Sequence, residues 1–285
     1  MVCNTYNNWL FKYEEALKKS CGTRRLKMKL YFNSLKLYWK SLMEYRASFI
    51  MAFISQIFIF FSYYFVILSL FNKFGNIKGF TVYEVLLCFS VIHFGYSFCE
   101  TFARGVDRFD NLIIKGEFDR LLLRPRRILL QVLCSNFDPV KISRLLQSLV
   151  ILIISLVNLN IEWNIYKVLC LMLILTSSVF VFFSIFLLAA SYCFFTVQGL
   201  EIRNLFTDGG KYMAQYPIGI FKKGFILFFT FVIPYGLVNY YPLLYMIGKT
   251  DNLLYCFAPL FTIFYVIPSL LVFKKGIKKY ESTGS

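Results

Sequence analysis

"KGEFDRLLLRPRR", residues 115–127, lies between two strongly apolar stretches. It crowds Lys115, Glu117, Asp119, Arg120, Arg124, Arg126 and Arg127 around Phe118, Leu121, Leu122 and Leu123. The chain around it is 58% hydrophobic and 20% aromatic, and only 16% of its 285 residues are charged. Soluble domains carry about 25% charged residues. Mean hydropathy is +0.62. So much apolar surface exceeds what one soluble core can hide, which predicts an all-α integral membrane protein. The charged run must then sit in a loop outside the lipid.

A bilayer-spanning helix needs about 20 predominantly apolar residues. Stretches without Lys, Arg, Asp or Glu predict six transmembrane helices, at about 47–72, 82–102, 142–160, 167–195, 224–240 and 253–273. The fourth is too short for two crossings and reads as one long or tilted helix. Pro234 should kink or end the fifth. Six spans divide the loops unequally. Residues 1–46, 103–144, 201–223 and 274–285 hold 27 of the 31 bases, and the opposite side holds Lys73, Lys78, Lys167 and Lys249. Lys and Arg collect on the cytoplasmic side. A multi-pass protein of the cytoplasmic membrane, with both termini in the cytoplasm, is therefore expected. Residues 1–27 read as a polar N-terminal extension and 28–285 as one transmembrane domain. The first apolar run begins near Ala47, too late for a cleavable leader, and Met28 is a second candidate start.

The net charge of +16 raises the question of nucleic acid. Groove and single-strand readers need one contiguous basic surface, whereas these bases alternate with apolar spans, so no nucleic acid is expected. Eight cysteines form no CxxC pair, and His93 is the only histidine; no metal or disulfide framework is indicated. "IGKTD", 247–251, contains Gly-Lys-Thr, but Leu243 stands where a phosphate-binding loop needs Gly. No catalytic or cofactor-binding residue is expected, so the chain is not read as an enzyme.

"KLYFNSLKLYWKSLMEYR" places Leu30, Tyr31, Leu35, Tyr38, Leu42 and Tyr45 near one helical face, as an interfacial amphipathic helix would. Within 115–127, Gly116 interrupts and Pro125 stops a short helix. Its acids come early and its bases late, which suits the helix dipole. Such a bounded element can dock in a partner's groove. Asp208-Gly209-Gly210 reads as a turn in the second base-rich loop. Glu100 should pair with Arg104 at i+4. No acid is expected at mid-depth.

Three runs in order resemble one family. "KGEFDRLLLRPRRILLQVLCSNFDP" (115–139), "YPIGIFKKGFILFFTFVIPYGLVNYYPLLYMIGK" (216–249) and "MEYRASF" (43–49) are similar to the membrane subunit of a type-2 ATP-binding-cassette (ABC) exporter. The resemblance spans about Met28 to Lys275. It implies a permease with an N-terminal interfacial helix, six spans and short re-entrant outer elements between the last two. It implies a cytoplasmic coupling helix between spans two and three, with Glu117, Phe118, Asp119, Arg120, Leu121, Leu122 and Arg124 docking on a cytosolic ABC ATPase. Asp208, Tyr216 and Pro217 fall in the second cytoplasmic loop. Two ATPase copies, carrying ATP and Mg, would pair with this permease and a second one, identical or paralogous. The cargo would be hydrophobic or amphipathic: a peptide, a drug or a lipid-linked molecule. The sequence singles out no cargo-lining residue. Two other readings stand beside it, a non-transporting membrane scaffold or sensor and an ion-coupled secondary transporter.

Overall fold

The computed structural model describes residues 24–196 and 204–280, with side chains from Leu30 onward. Most of the expected extension 1–27 lies outside the described residues. The architecture is all-helical, and among the described residues five helices are long and apolar enough to cross a membrane. In chain order the elements are α1 (Arg24–Glu44), α2 (Arg46–Phe74) and α3 (Val82–Phe102). Three short helices follow, α4 (Arg104–Asp107), α5 (Phe109–Ile114) and α6 (Glu117–Leu122). Then come α7 (Ile128–Ser135), α8 (Ile142–Asn158) and α9 (Ile165–Tyr192).

α3 is the hub. It packs along α8 and α9, and 78% of its most apolar window is buried inside the chain, against 11% for α2. A helix apolar on all sides is at home in a core, and α3 carries small residues where neighbours come close. A Cβ on Gly95 would lie 2.6 Å from Ser178 Oγ of α9. Thr81 starts α3 with a capping box, its side chain accepting from Glu84 N while Glu84 accepts from Thr81 N. At the other end, α1 lies against α7, and Tyr31 donates to Phe102 O at 2.6 Å while Tyr38 donates to Ser135 O. Leu30, Leu35 and Leu42 of the expected apolar face are half-buried, whereas Tyr45 is exposed.

The structure departs from the sequence reading after α9. The expected span 224–240 is not one helix. A wide π-helical turn, Leu205–Gly209, leads into α10 (Gly210–Ala214), and then come α11 (Lys223–Phe231), α12 (Tyr235–Asn239) and α13 (Tyr241–Met246). The pair formed by α11 and the α12–α13 run is bent by 90°, at a break ending on Pro234, as proline's missing donor dictates. Both ends of this pair lie at the same end of the bundle. Just before it, Ile220 O accepts from Lys78 Nζ at 2.6 Å; just after it, Lys249 Nζ reaches Gly79 O at 2.8 Å and Glu84 at 3.0 Å. Its tip is deep, where Phe231 O accepts from the Tyr265 hydroxyl and the Tyr235 ring sits 5.4 Å from Phe182.

The segment that runs alongside α3 is 204–221, expected in a base-rich loop. Asp208 meets Tyr96, Gln215 meets His93, and Ile220 meets Lys78. From Tyr96 to the start of α3 is about 21 Å of helix at 1.5 Å per residue. Asp208 and Lys211 concealed this segment from a scan for charge-free stretches; they bond each other at 2.9 Å, and Lys211 is buried. Nor do Asp208, Gly209 and Gly210 form a turn. Both glycines have helical φ of −59°. Gly210 is explained by close approach, since a Cβ there would lie 2.9 Å from the Tyr235 ring. This path carries Lys222 and Lys223 to the base-poor end, which weakens the charge asymmetry without reversing it. α14 (Leu253–Phe257) and α15 (Ile263–Lys279), joined through Ala258–Thr262, then return along α9.

Candidate functional site

The base-rich end of the bundle is built from the loop between α3 and α8. Its local folding is dictated by two breakers and a close crossing. Gly116 sits at φ 62°, a left-handed conformation that suits glycine, and opens α6. Pro125 follows the helix, and Arg126 N turns back to Arg124 O. Gln131 of α7 then ties the turn down, its Nε2 donating to Leu121 O at 3.1 Å and to Arg126 O at 3.2 Å. Gly105 lets α4 touch α7: a Cβ there would lie 1.9 Å from Val132 O.

An aromatic cluster joins this loop to two long helices. Phe118 of α6 is fully buried. Its ring lies 5.1 Å from Phe109 of α5, 5.5 Å from Phe194 just past α9, and 4.9 Å from Tyr280 just past α15. Phe273 of α15 completes the cluster against Phe109 and Phe194. Gly276 admits Phe194, since a Cβ there would lie 2.4 Å from that ring. Edge-to-face rings of this kind add about 0.5–1.5 kcal/mol per pair beyond area burial. Motion of α6 is thereby tied to the base-rich ends of α9 and α15.

Beneath the loop lies a dense set of charges. Glu100 receives Arg104 at 3.1 Å, Lys141 at 3.7 Å and Arg144 at 3.1 Å. Arg104 also bonds Asp107 at 2.5 Å and reaches Asp138 at 3.7 Å. Burial works against the Arg104 charge, but the carboxylates of Asp107, Glu100 and Asp138 more than offset it and hold the guanidinium pKa above its ordinary value. A polar cavity of about 400 Å³ opens here. Lys211 closes it on the bundle side, bonded to Asp208 and lying 3.9 Å from the Tyr96 ring centre. A second, apolar cavity of about 300 Å³ lies beside the break in the bent pair, between α9, Phe206, Ile233 and Tyr265.

The residues expected from the sequence fall into three groups. Glu117, Arg120, Leu122 and Arg124 lie on the exposed or half-exposed side of α6 and its exit, together with Leu123, which is 85% exposed. Asp119 is half-buried, while Phe118 and Leu121 face the chain's own core. Asp208, the half-buried Tyr216 and the buried Pro217 are not brought to this loop as a group. They are strung along 204–221, and only Asp208 lines the charged cavity. Asp208 sits at the level of Tyr96 of α3, where both line the charged cavity. Lys211, Lys141, Arg144 and Tyr96 were missed as site residues. The i,i+3 spacing of Asp208 and Lys211 was the available signal, as such a pair can neutralise itself inside an apolar bundle.

A model of the family described as ABC-2 family transporter protein matches residues 40–284. The chain therefore belongs to the ABC-2 family and is a multi-pass permease-type membrane protein rather than a nucleotide-binding subunit. No curated protein and no solved structure matches it.

Proposed function

We propose that the chain is the permease subunit of an ABC exporter in the cytoplasmic membrane, moving a hydrophobic or amphipathic cargo with energy from a separate cytosolic ATPase. The base-rich end faces the cytoplasm in this reading. Six crossings are α2, α3, α8, α9, the segment 204–221 and the α14–α15 run, and the bent pair is a re-entrant hairpin on the outer side. α1 lies in the inner interface. Two such permeases, identical or paralogous, work with two ATPases carrying ATP and Mg.

The observation that carries this reading is α6. It is a short helix bounded by Gly116 and Pro125, clamped inward by Phe118 and turned outward with Arg120, Leu122 and Leu123. An element rigid on one side and bare on the other is suited to transmitting a partner's motion. Movement of the ATPases would shift α6 and, through the aromatic cluster, the inner ends of α9 and α15, biasing the access equilibrium. The test is co-purification with a co-expressed cytosolic ABC ATPase, before and after Asp119→Lys with Arg120→Glu. Loss of association and of cargo-stimulated ATP hydrolysis is expected. Unchanged association and transport would sink the docking role.

An ion-coupled secondary transporter is the second reading, favoured by the Asp208–Lys211 pair against Tyr96 of α3. It predicts transport in vesicles lacking any ATPase. It ranks lower because it leaves the bounded, outward-facing α6 without a task.

A further inference from the structure

In the charged cavity the carboxylates of Glu100 and Asp208 already hold donors, while several cationic donors are spare. Glu100 Oε1 receives Arg104 and Lys141, and its Oε2 receives Arg144. Asp208 Oδ1 takes both the Tyr96 hydroxyl and Lys211. The donors are less committed. A guanidinium presents about five N–H groups, yet Arg144 commits only Nη1, to Glu100. Arg108 is exposed, lines the same cavity, and makes no ion pair among the described residues. Lys211 has three N–H donors in principle and one carboxylate partner. Bases lining the cavity outnumber acids five to four. The uncommitted donors are cationic and sit on three side chains, against one buried carboxylate oxygen in the lining, Asp110 Oδ2, that accepts no hydrogen bond. The cavity volume of about 400 Å³ falls within the roughly 300–1,000 Å³ typical of small-ligand sites.

We infer that this cavity binds an anionic oxygen-rich group, a phosphate or a carboxylate, with Arg108 and Arg144 as its main donors. A planar guanidinium matches such a group with two parallel bonds. Lys211 stands at the bundle side as the deepest positive charge, held in place by Asp208 and the Tyr96 ring. The cavity lies at the base-rich end of α3 and α8, the depth at which an inner-leaflet amphiphile would hold its headgroup. The inference names a cargo chemistry for the permease reading and rests on that reading only for its biological use.

The test is calorimetric titration of the full-length chain in maltoside micelles, with no ATPase present. Three probes are compared: dodecyl phosphate, inorganic phosphate and dodecyltrimethylammonium. Saturable binding of dodecyl phosphate is expected, with no binding of the ammonium probe. Arg108→Gln with Arg144→Gln should raise Kd about tenfold or more, the scale of a lost charged hydrogen bond. Arg108→Gln alone, at an exposed position that leaves the fold intact, should raise it by a smaller measurable factor. Lys73→Gln, at the opposite end, should leave Kd unchanged. If inorganic phosphate competes as strongly as dodecyl phosphate, the site takes the free anion; if it competes weakly, the site takes an amphiphile's headgroup. Equal binding of the ammonium probe, or an unchanged Kd in both arginine variants, would overturn the inference. A negative result here leaves α6 docking untouched, and a failure of ATPase association leaves this binding untouched.

Discussion

The two ends of the bundle are held together differently. At the base-poor end, single long side chains make the ties: Lys249 to Glu84 and Gly79, and Lys78 to Ile220. At the base-rich end a buried ionic cluster and an interlocked set of five rings bind a whole loop to α3, α8, α9 and α15. The difference teaches where force can enter. An end held by flexible, exposed lysines can part locally, whereas an end keyed by packed rings moves as a unit. Packed aromatic cores are bistable rather than continuously deformable.

That contrast can be broken most severely at Phe118. Phe118→Asp should unfold the loop and cost at least the about 3–5 kcal/mol of emptying a buried Phe site, read as thermal unfolding of the detergent-solubilised protein. Arg104→Ala comes next. It strips one cation from buried Glu100 and breaks the bond to buried Asp107, a loss of about 3 kcal/mol by the usual cost of breaking a buried pair. Lys141 and Arg144 still hold Glu100, so Arg104→Ala should cost less than Phe118→Asp. At the opposite end, Lys249→Ala should cost only about 1 kcal/mol, because the capping box keeps Glu84 hydrogen-bonded. The smallest effect on stability belongs to Arg120→Ala. Its pair with Glu117 is exposed and 3.6 Å long, so thermal unfolding should move by less than about 0.5 kcal/mol, while stimulation of a co-expressed ATPase should fall. If Lys249→Ala destabilised the protein as much as Phe118→Asp, the contrast between the ends would be wrong.

The sequence made the long helices legible because lipid demands about 20 apolar residues in a row, and α2, α3, α8, α9 and the last span fall where that rule puts them. It also exposed α6, since Gly116 and Pro125 are local signals that need no tertiary context. The path of 204–221 was hidden for a tertiary reason. Asp208 and Lys211 read as loop charges until Tyr96 is brought against them. The bent pair was concealed by the same error, because its residues are apolar enough to pass for a span, and only the bonds of Lys78 and Lys249 place both of its ends together. Which α6 residues face outward was only half legible. Phe118 and Leu121 share the short helix with Arg120 and Leu122, and Phe118 turns inward onto Phe194 and Tyr280, far away in sequence.

In the proposed function, α6 is where a cytosolic ATPase docks. The most direct test places a photo-crosslinking phenylalanine analogue at Leu123, exposed beside α6, and separately at Phe74, exposed at the opposite end, in cells co-expressing the ATPase. The account predicts a crosslink to the ATPase from position 123 and none from position 74. No crosslink from 123 in a complex that still hydrolyses ATP in response to cargo, or equal crosslinking from both positions, would contradict it.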